Sequence, residues 1–211
     1  MNIFIVDMNE GFTRIGPLAS PRVAALIPKQ VAFLGQVPED SVVIHVSDAH
    51  EPDDSEFKRM PVHCLRGTEE AKPCHEIEEV CKRRGLDYNY IPKMTHCGFF
   101  HTGLEFHHAF RQRMDWIMFG CVTDICITAN VAAMDYRGRN VTVVRDLVDT
   151  YEIKPEDAPS HAHVHDPDTF NKLFFEHYLP GVWGVKISTA TEVLEEAEQA
   201  AVRRTLDGST C

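Results

Sequence analysis

Basic charge is scarce in this chain: 21 lysines and arginines face 32 aspartates and glutamates, for a formal net charge of -11. Such a surface repels polyphosphates and anionic bilayers, so nucleic acid and membrane are poor partners. A small, nearly neutral molecule carries no such penalty. No apolar stretch approaches the ~20 residues needed to span a bilayer. No Gly-x-Gly-x-x-Gly follows the first apolar run, so the fingerprint of a dinucleotide-binding turn is missing. The cysteines, at 64, 74, 81, 97, 121, 126 and 211, form no CxxC pair and no regular framework. An odd number of scattered thiols suggests a reducing compartment, the cytoplasm. Met1–Val6 has no basic region before it and no small-residue cleavage site after it, so it reads as a buried strand and not as a signal peptide. Internal repeats and low-complexity linkers are also lacking.

What is present fits one α/β domain. The 211 residues, 44% hydrophobic and 25% charged, suffice for one sizeable core. Six apolar, β-branched runs recur: Asn2–Val6, Ser41–Val46, Asp87–Ile91, Trp116–Cys121, Asn140–Val144 and Val182–Ile187. Several are nearly continuous in apolar character, as strands buried on both faces are. Helical spacing lies between them. Ala71–Arg84 stops at Gly85, Ile125–Tyr136 stops before Gly138, and Thr191–Arg204 carries Glu early and Arg late. The alternation predicts a single-domain, doubly wound three-layer sandwich over residues 1–206, with a mostly parallel sheet of about six strands. Residues 207–211 are expected to be a flexible tail. Two long loops, Asp48–Lys72 and Leu147–Pro167, read as functional. The second holds a run from His161 to His165, read as a solvated loop or helix entry.

In open α/β sheets, ligands bind beyond the carboxyl ends of the strands. The polar residues there are few: Asp7 after strand one, Asp48 and His50 after strand two, Lys93 after strand three, and Thr123-Asp124-Ile125-Cys126 after strand four. Cys126 stands near a predicted helix start, where free N–H groups favour a thiolate and could hold an oxyanion. Singly, each has an ordinary reading: a packed thiol, a helix cap, a solvated lysine. Together they supply a nucleophile, a proton acceptor and a cation that tunes both. Asp48 and His50 alternate on an extended segment and share a face. With Glu56 and His63 they form a carboxylate–imidazole set suited to Zn, Mn or Fe, or simply a polar loop.

From Asn2 to about Leu194 the chain resembles the isochorismatase-like hydrolases, and within them the nicotinamidase/pyrazinamidase family. Gly120-Cys121-Val122-Thr123-Asp124-Ile125-Cys126 is similar to the family's Gly-x-x-Thr-Asp-x-Cys turn. Asp7-Met8-Asn9-Glu10-Gly11-Phe12 resembles its first-strand acid with following aromatic, and Gly16-Pro17-Leu18 the loop after it. Met60 to Thr68 resembles its Trp-Pro-x-His-Cys-x-x-Gly-Thr signature. Two positions depart from the pattern. Met60 replaces a stacking Trp with a flexible thioether, and Asn9 stands where Gln is usual, so the pocket is reshaped.

The resemblance implies a triad of Asp7, Lys93 and Cys126, with oxyanion N–H groups from Val122 and Cys126 and a cis Cys121–Val122 peptide. It implies substrate contacts from Phe12, Leu18 and the Met60 position. One divalent metal would be held by Asp48, His50 and His63, with Glu56 where some members supply another ligand. Zn is the expected ion, with Mn or Fe as alternatives. The implied activity is hydrolysis of nicotinamide or a similar small carboxamide to the acid and ammonia through a thioester on Cys126, and self-association into a homo-oligomer is compatible with it. One rival is a metal-free relative acting on another amide, carbamoyl or vinyl-ether substrate. The other is a non-enzymatic α/β binding module with a structural Cys126.

Overall fold

The computed structural model describes residues 1–152 and 166–206. The His161–His165 run and the 207–211 tail lie outside these residues.

Six strands form one sheet, all parallel: β1 Asn2–Val6, β2 Val42–Asp48, β3 Asp87–Lys93, β4 Asp115–Cys121, β5 Asn140–Asp149 and β6 Lys186–Ser188. Their spatial order is β3-β2-β1-β4-β5-β6. The helices among the described residues are α1 Glu10–Thr13, α2 Pro21–Ala24, α3 Ile27–Leu34, α4 His75–Arg84, α5 His108–Gln112, α6 Thr128–Asp135, α7 Pro167–Leu173, α8 Leu179–Trp183 and α9 Ala190–Leu206. The chain winds outward from β1 through β2 to β3, then crosses to β4 and winds the other way. Right-handed crossovers in opposite directions put helices on both faces. Accordingly α3 packs on α4, and α6 packs on α8. No helix among the described residues is long and apolar enough to cross a membrane.

β2 is buried along its whole length, and β1 is buried after its first residue. Their near-continuous apolar runs follow from being covered on both sides. Beneath α5, Trp116, Phe4, Phe99 and Phe110 form an aromatic cluster with ring centroids 4.8–6.2 Å apart.

Several elements differ in extent from the sequence expectations, and three of the differences bear on the sheet. β3, expected over Asp87–Ile91, runs on to Lys93, which is its last residue and is buried. The sixth strand, expected over Val182–Ile187, is only Lys186–Ser188, because the helical stretch from Pro167 runs on through Leu179–Trp183 and closes at Gly184, whose φ is +63°. β5 continues past Val144 to Asp149 through a register shift, in which Met118 pairs with Val143 but Gly120 pairs with Val148. Arg145 and Asp146 are exposed at this bulge, and their charge ended the apolar run in the sequence.

Candidate active site

The winding direction reverses between β1 and β4, and a crevice forms at such a switch point. β1 delivers Asp7 there and β4 delivers the turn that carries Cys126. The close approach depends on Gly120, whose φ is +129°. A Cβ at that position would lie 2.0 Å from the Val6 carbonyl oxygen. Beyond Gly120 the Cys121–Val122 peptide is cis. The chain then makes a wide turn over Thr123–Ile127, with Ile127 N–H donating to the Val122 carbonyl at 3.1 Å, before α6 begins. Cys126 sits in this turn, buried at the floor of a cavity of about 550 Å³.

Asp7, Lys93 and Cys126 meet here. The Lys93 ammonium is fully buried, 2.8 Å from Asp7 Oδ2, and it also donates to Asp48 Oδ1. The Asp48 backbone N–H donates to Asp7 Oδ1 at 3.0 Å. Asp7 thus has one oxygen on an amide and one on a cation, held by its left-handed backbone at φ +55°. Burial, then the Asp48 charge, push the Asp7 carboxyl up to about 7 against the pull of Lys93. Burial works against the Lys93 charge, but Asp48 and Asp7 together raise it well above the ordinary lysine range. Burial and then Asp7 push the Cys126 thiol well above its ordinary value, and Lys93 opposes them only in part. The surroundings of Cys126 thus favour the thiol over the thiolate expected from its place near a helix start.

Beside this triad, Asp48, His50 and His63 bring one ligand atom each within 4.8 Å of one another. Asp48 Oδ2 lies 3.4 Å from His50 Nε2 and 3.6 Å from His63 Nε2. These spacings approach the edge of about 3.3 Å expected for a tetrahedron with ~2.0–2.1 Å bonds. The outer nitrogens are occupied: His50 Nδ1 pairs with Asp54 Oδ2 at 2.8 Å, and His63 Nδ1 donates to the Pro61 carbonyl at 2.8 Å. Each ring therefore turns Nε2 inward, and His50 Nε2 is buried without a hydrogen-bond partner. Oriented imidazoles with an orphaned buried nitrogen suit a divalent metal. Burial would raise the Asp48 carboxyl, but Lys93 and the two imidazoles overcome it and hold it below the ordinary range. Burial works against charge on His50, yet Asp48 and Asp54 raise it to about 9. Glu56 stands apart from the three, with Oε1 4.0 Å from His63 Nε2 and 3.8 Å from His96 Nδ1.

The cavity wall between the two groups is largely apolar. Phe12, Leu18, Met60, Val122 and Ile125 line it, with Asp48, Glu56, His63, His96 and Cys126 on its polar side. Phe12 also packs on the His63 ring at 5.7 Å between centroids.

Several site residues were not apparent in the sequence. Thr150, at the end of β5, donates to Asp124 Oδ1 at 2.7 Å, and Asn171 of α7 accepts from the Thr123 hydroxyl at 2.6 Å. Asp149 ties Asn171 to Arg22. This network clamps the Thr123–Ile127 turn from elements 26 and 48 residues away in sequence. His96 and Asn130 were missed for the same reason. Asp54 was the one local signal, an acid four residues after His50.

An open parallel sheet that gathers a thiol, a carboxylate and a buried lysine at its switch point, beside a carboxylate–imidazole triad, defines a narrow class. The Isochorismatase domain matches residues 2–163, and the chain belongs to that family of hydrolases. Among solved structures it is similar to an N-carbamoylsarcosine amidase from Thermoplasma acidophilum (TM-score 0.69, 23% identity, 90% of this chain and 95% of that one). It is also similar to a zinc-bound pyrazinamidase from Pyrococcus horikoshii (TM-score 0.67, 22% identity, 89% and 98%) and a nicotinamidase from Bacillus subtilis (TM-score 0.67, 19% identity, 89% and 98%). No match was found among curated proteins.

Proposed function

We propose that this hydrolase is a cysteine amidase that cleaves a small carboxamide, nicotinamide or a close analogue, to the acid and ammonia, with a divalent metal, Zn foremost, at Asp48, His50 and His63. The observation that carries this reading is the buried, salt-bridged Lys93–Asp7 pair, with Lys93 also donating to Asp48, beside a cavity lined by Cys126 together with Asp48 and His63.

The carboxyl of Asp7 accepts the Cys126 proton while Lys93 stays charged and steadies both anions. The sulfur attacks the amide carbon, and the N–H groups of Val122 and Cys126 receive the oxyanion. Asp7 returns its proton to the leaving nitrogen, ammonia departs, and a thioester remains on Cys126. Water then cleaves the thioester, with Asp7 accepting its proton and passing it to the sulfur. Phe12, Leu18 and Met60 hold the apolar body of the substrate. When bound, the metal supplies Lewis acidity that orients a ring nitrogen or polarises water. Glu56 joins it as a further ligand or supports His63. The free thiols among the described residues support a reducing compartment, the cytoplasm.

Ammonia release from nicotinamide, pyrazinamide, an aliphatic amide and an N-carbamoyl compound, with and without chelator, tests the substrate. The aromatic carboxamides should react fastest, and chelator should suppress their turnover. Preference for the carbamoyl compound with no chelator effect would replace this reading with the metal-free one.

A further inference from the structure

One cavity side chain has no part in that scheme. His96 lines the cavity with its side chain 40% exposed. Its Nδ1 stands 3.9 Å from Cys126 Sγ and 3.8 Å from Glu56 Oε1. Neither separation is a strong hydrogen bond, and polar atoms held this far apart leave room for a water or a substrate oxygen seated off the line between them.

The placement is built into the fold. The buried Asn130 amide donates from one Nδ2 to the Cys126 carbonyl at 2.8 Å and to the His96 carbonyl at 3.1 Å. Its Oδ1 accepts the Gly98 N–H at 2.8 Å. Only glycine allows this approach, since a Cβ at position 98 would lie 2.8 Å from Val46 Cγ1 and 3.0 Å from Asn130 Oδ1. One side chain therefore sets the spacing between the nucleophile and the segment that carries His96.

We infer that His96 positions the water that hydrolyses the thioester on Cys126. This rests on the thiol-hydrolase reading above. Sulfur carries the acyl group in that intermediate, so the acyl carbon lies within bonding distance of Sγ and inside the space that His96 Nδ1 overlooks. A water hydrogen-bonded to Nδ1 and to Glu56 stands beside that carbon. Its oxygen bonds to the carbon, the carbon–sulfur bond breaks, Asp7 takes one water proton and delivers it to sulfur, and the acid leaves. No oxidant or further reactant is needed. His96 Nδ1 stands within 4 Å of both Cys126 Sγ and Glu56 Oε1, which places it to order such a water. His96 is a positioning residue in this scheme, and proton transfer remains with Asp7.

The two half-reactions separate with 4-nitrophenyl acetate, which releases nitrophenolate as it acetylates the thiol. His96→Leu should retain the initial burst while hydrolysis of acetyl-Cys126 slows on the order of 10²-fold, the scale set by losing a near-attack position. Intact mass should then show the acetyl group accumulating. His96→Asn, whose amide can still order a water, should recover much of the rate, a rescue that a merely structural role would not give. Release of acetyl from His96→Leu at the wild-type rate would overturn this inference alone. A wild-type protein that never carries acetyl on Cys126 would overturn the thiol-hydrolase reading, and this inference with it.

Discussion

At the scale of single residues, the proposed chemistry turns on where one proton resides. Burial and the Asp48 charge push the Asp7 carboxyl up to about 7, and the Cys126 thiol is higher still. Below about 7 Asp7 holds its own proton and cannot accept the one on sulfur. The acid limb of kcat/KM should therefore rise with pH through a midpoint near 7, a value that belongs to the coupled Asp7–Lys93–Asp48 cluster. A cation on Asp48 weakens its repulsion of Asp7, so loading the site should move the midpoint down. A flat pH profile through this region would place the proton acceptor elsewhere. The candidates for this chemistry were legible in the sequence, because acids, bases and thiols after apolar runs fall at strand ends. Their protonation was not, because it depends on complete burial of Lys93 and on Asp48 serving both groups.

At the scale of elements, β5 explains how the turn carrying Cys126 is held. Its bulge lets the strand run on to Asp149, opposite Cys121, and brings Thr150 onto Asp124. Thr150 is fully buried, so Thr150→Val removes a donor that no water replaces easily. Stability should fall by ~1–2 kcal/mol, and Tm by roughly 2–8 °C at this chain length. kcat should fall on the order of tenfold as the turn loosens. Thermal melts and kcat together check this, and a normal kcat in a destabilised variant would show that the clamp serves the fold alone. The bulge was hidden in the sequence because Arg145-Asp146 reads as a strand end. The α8–β6 boundary was hidden for the opposite reason: Val182, Trp183, Val185 and Ile187 look like one run, although only the last lies in a strand.

Across the whole molecule, the doubly wound sheet was readable from six buried runs separated by helical spacing. Its strand order was not, since no local pattern says that β4 returns beside β1. That return creates the crevice and sets the thiol beside the acid, while β2 supplies Asp48 to both the lysine and the imidazoles. The metal-type triad consequently joins the segment after β2 to the sheet, and ion binding should stabilise the entire domain. At an ion concentration 100-fold above Kd the gain is about 2.7 kcal/mol, or roughly 5–10 °C in Tm. Chelator should erase this shift, and His63→Ala should show no shift from the outset. Equal shifts in His63→Ala and the parent protein would move the ion to another site.

The central claim is that Cys126 carries the acyl group of a small amide. The most direct measurement is ammonia release from nicotinamide by the metal-loaded protein and by Cys126→Ala, with metal content assayed in both. The account predicts release of ammonia with matching acid from the parent protein, and none above background from a variant that still binds its metal. Equal ammonia release from Cys126→Ala would contradict it.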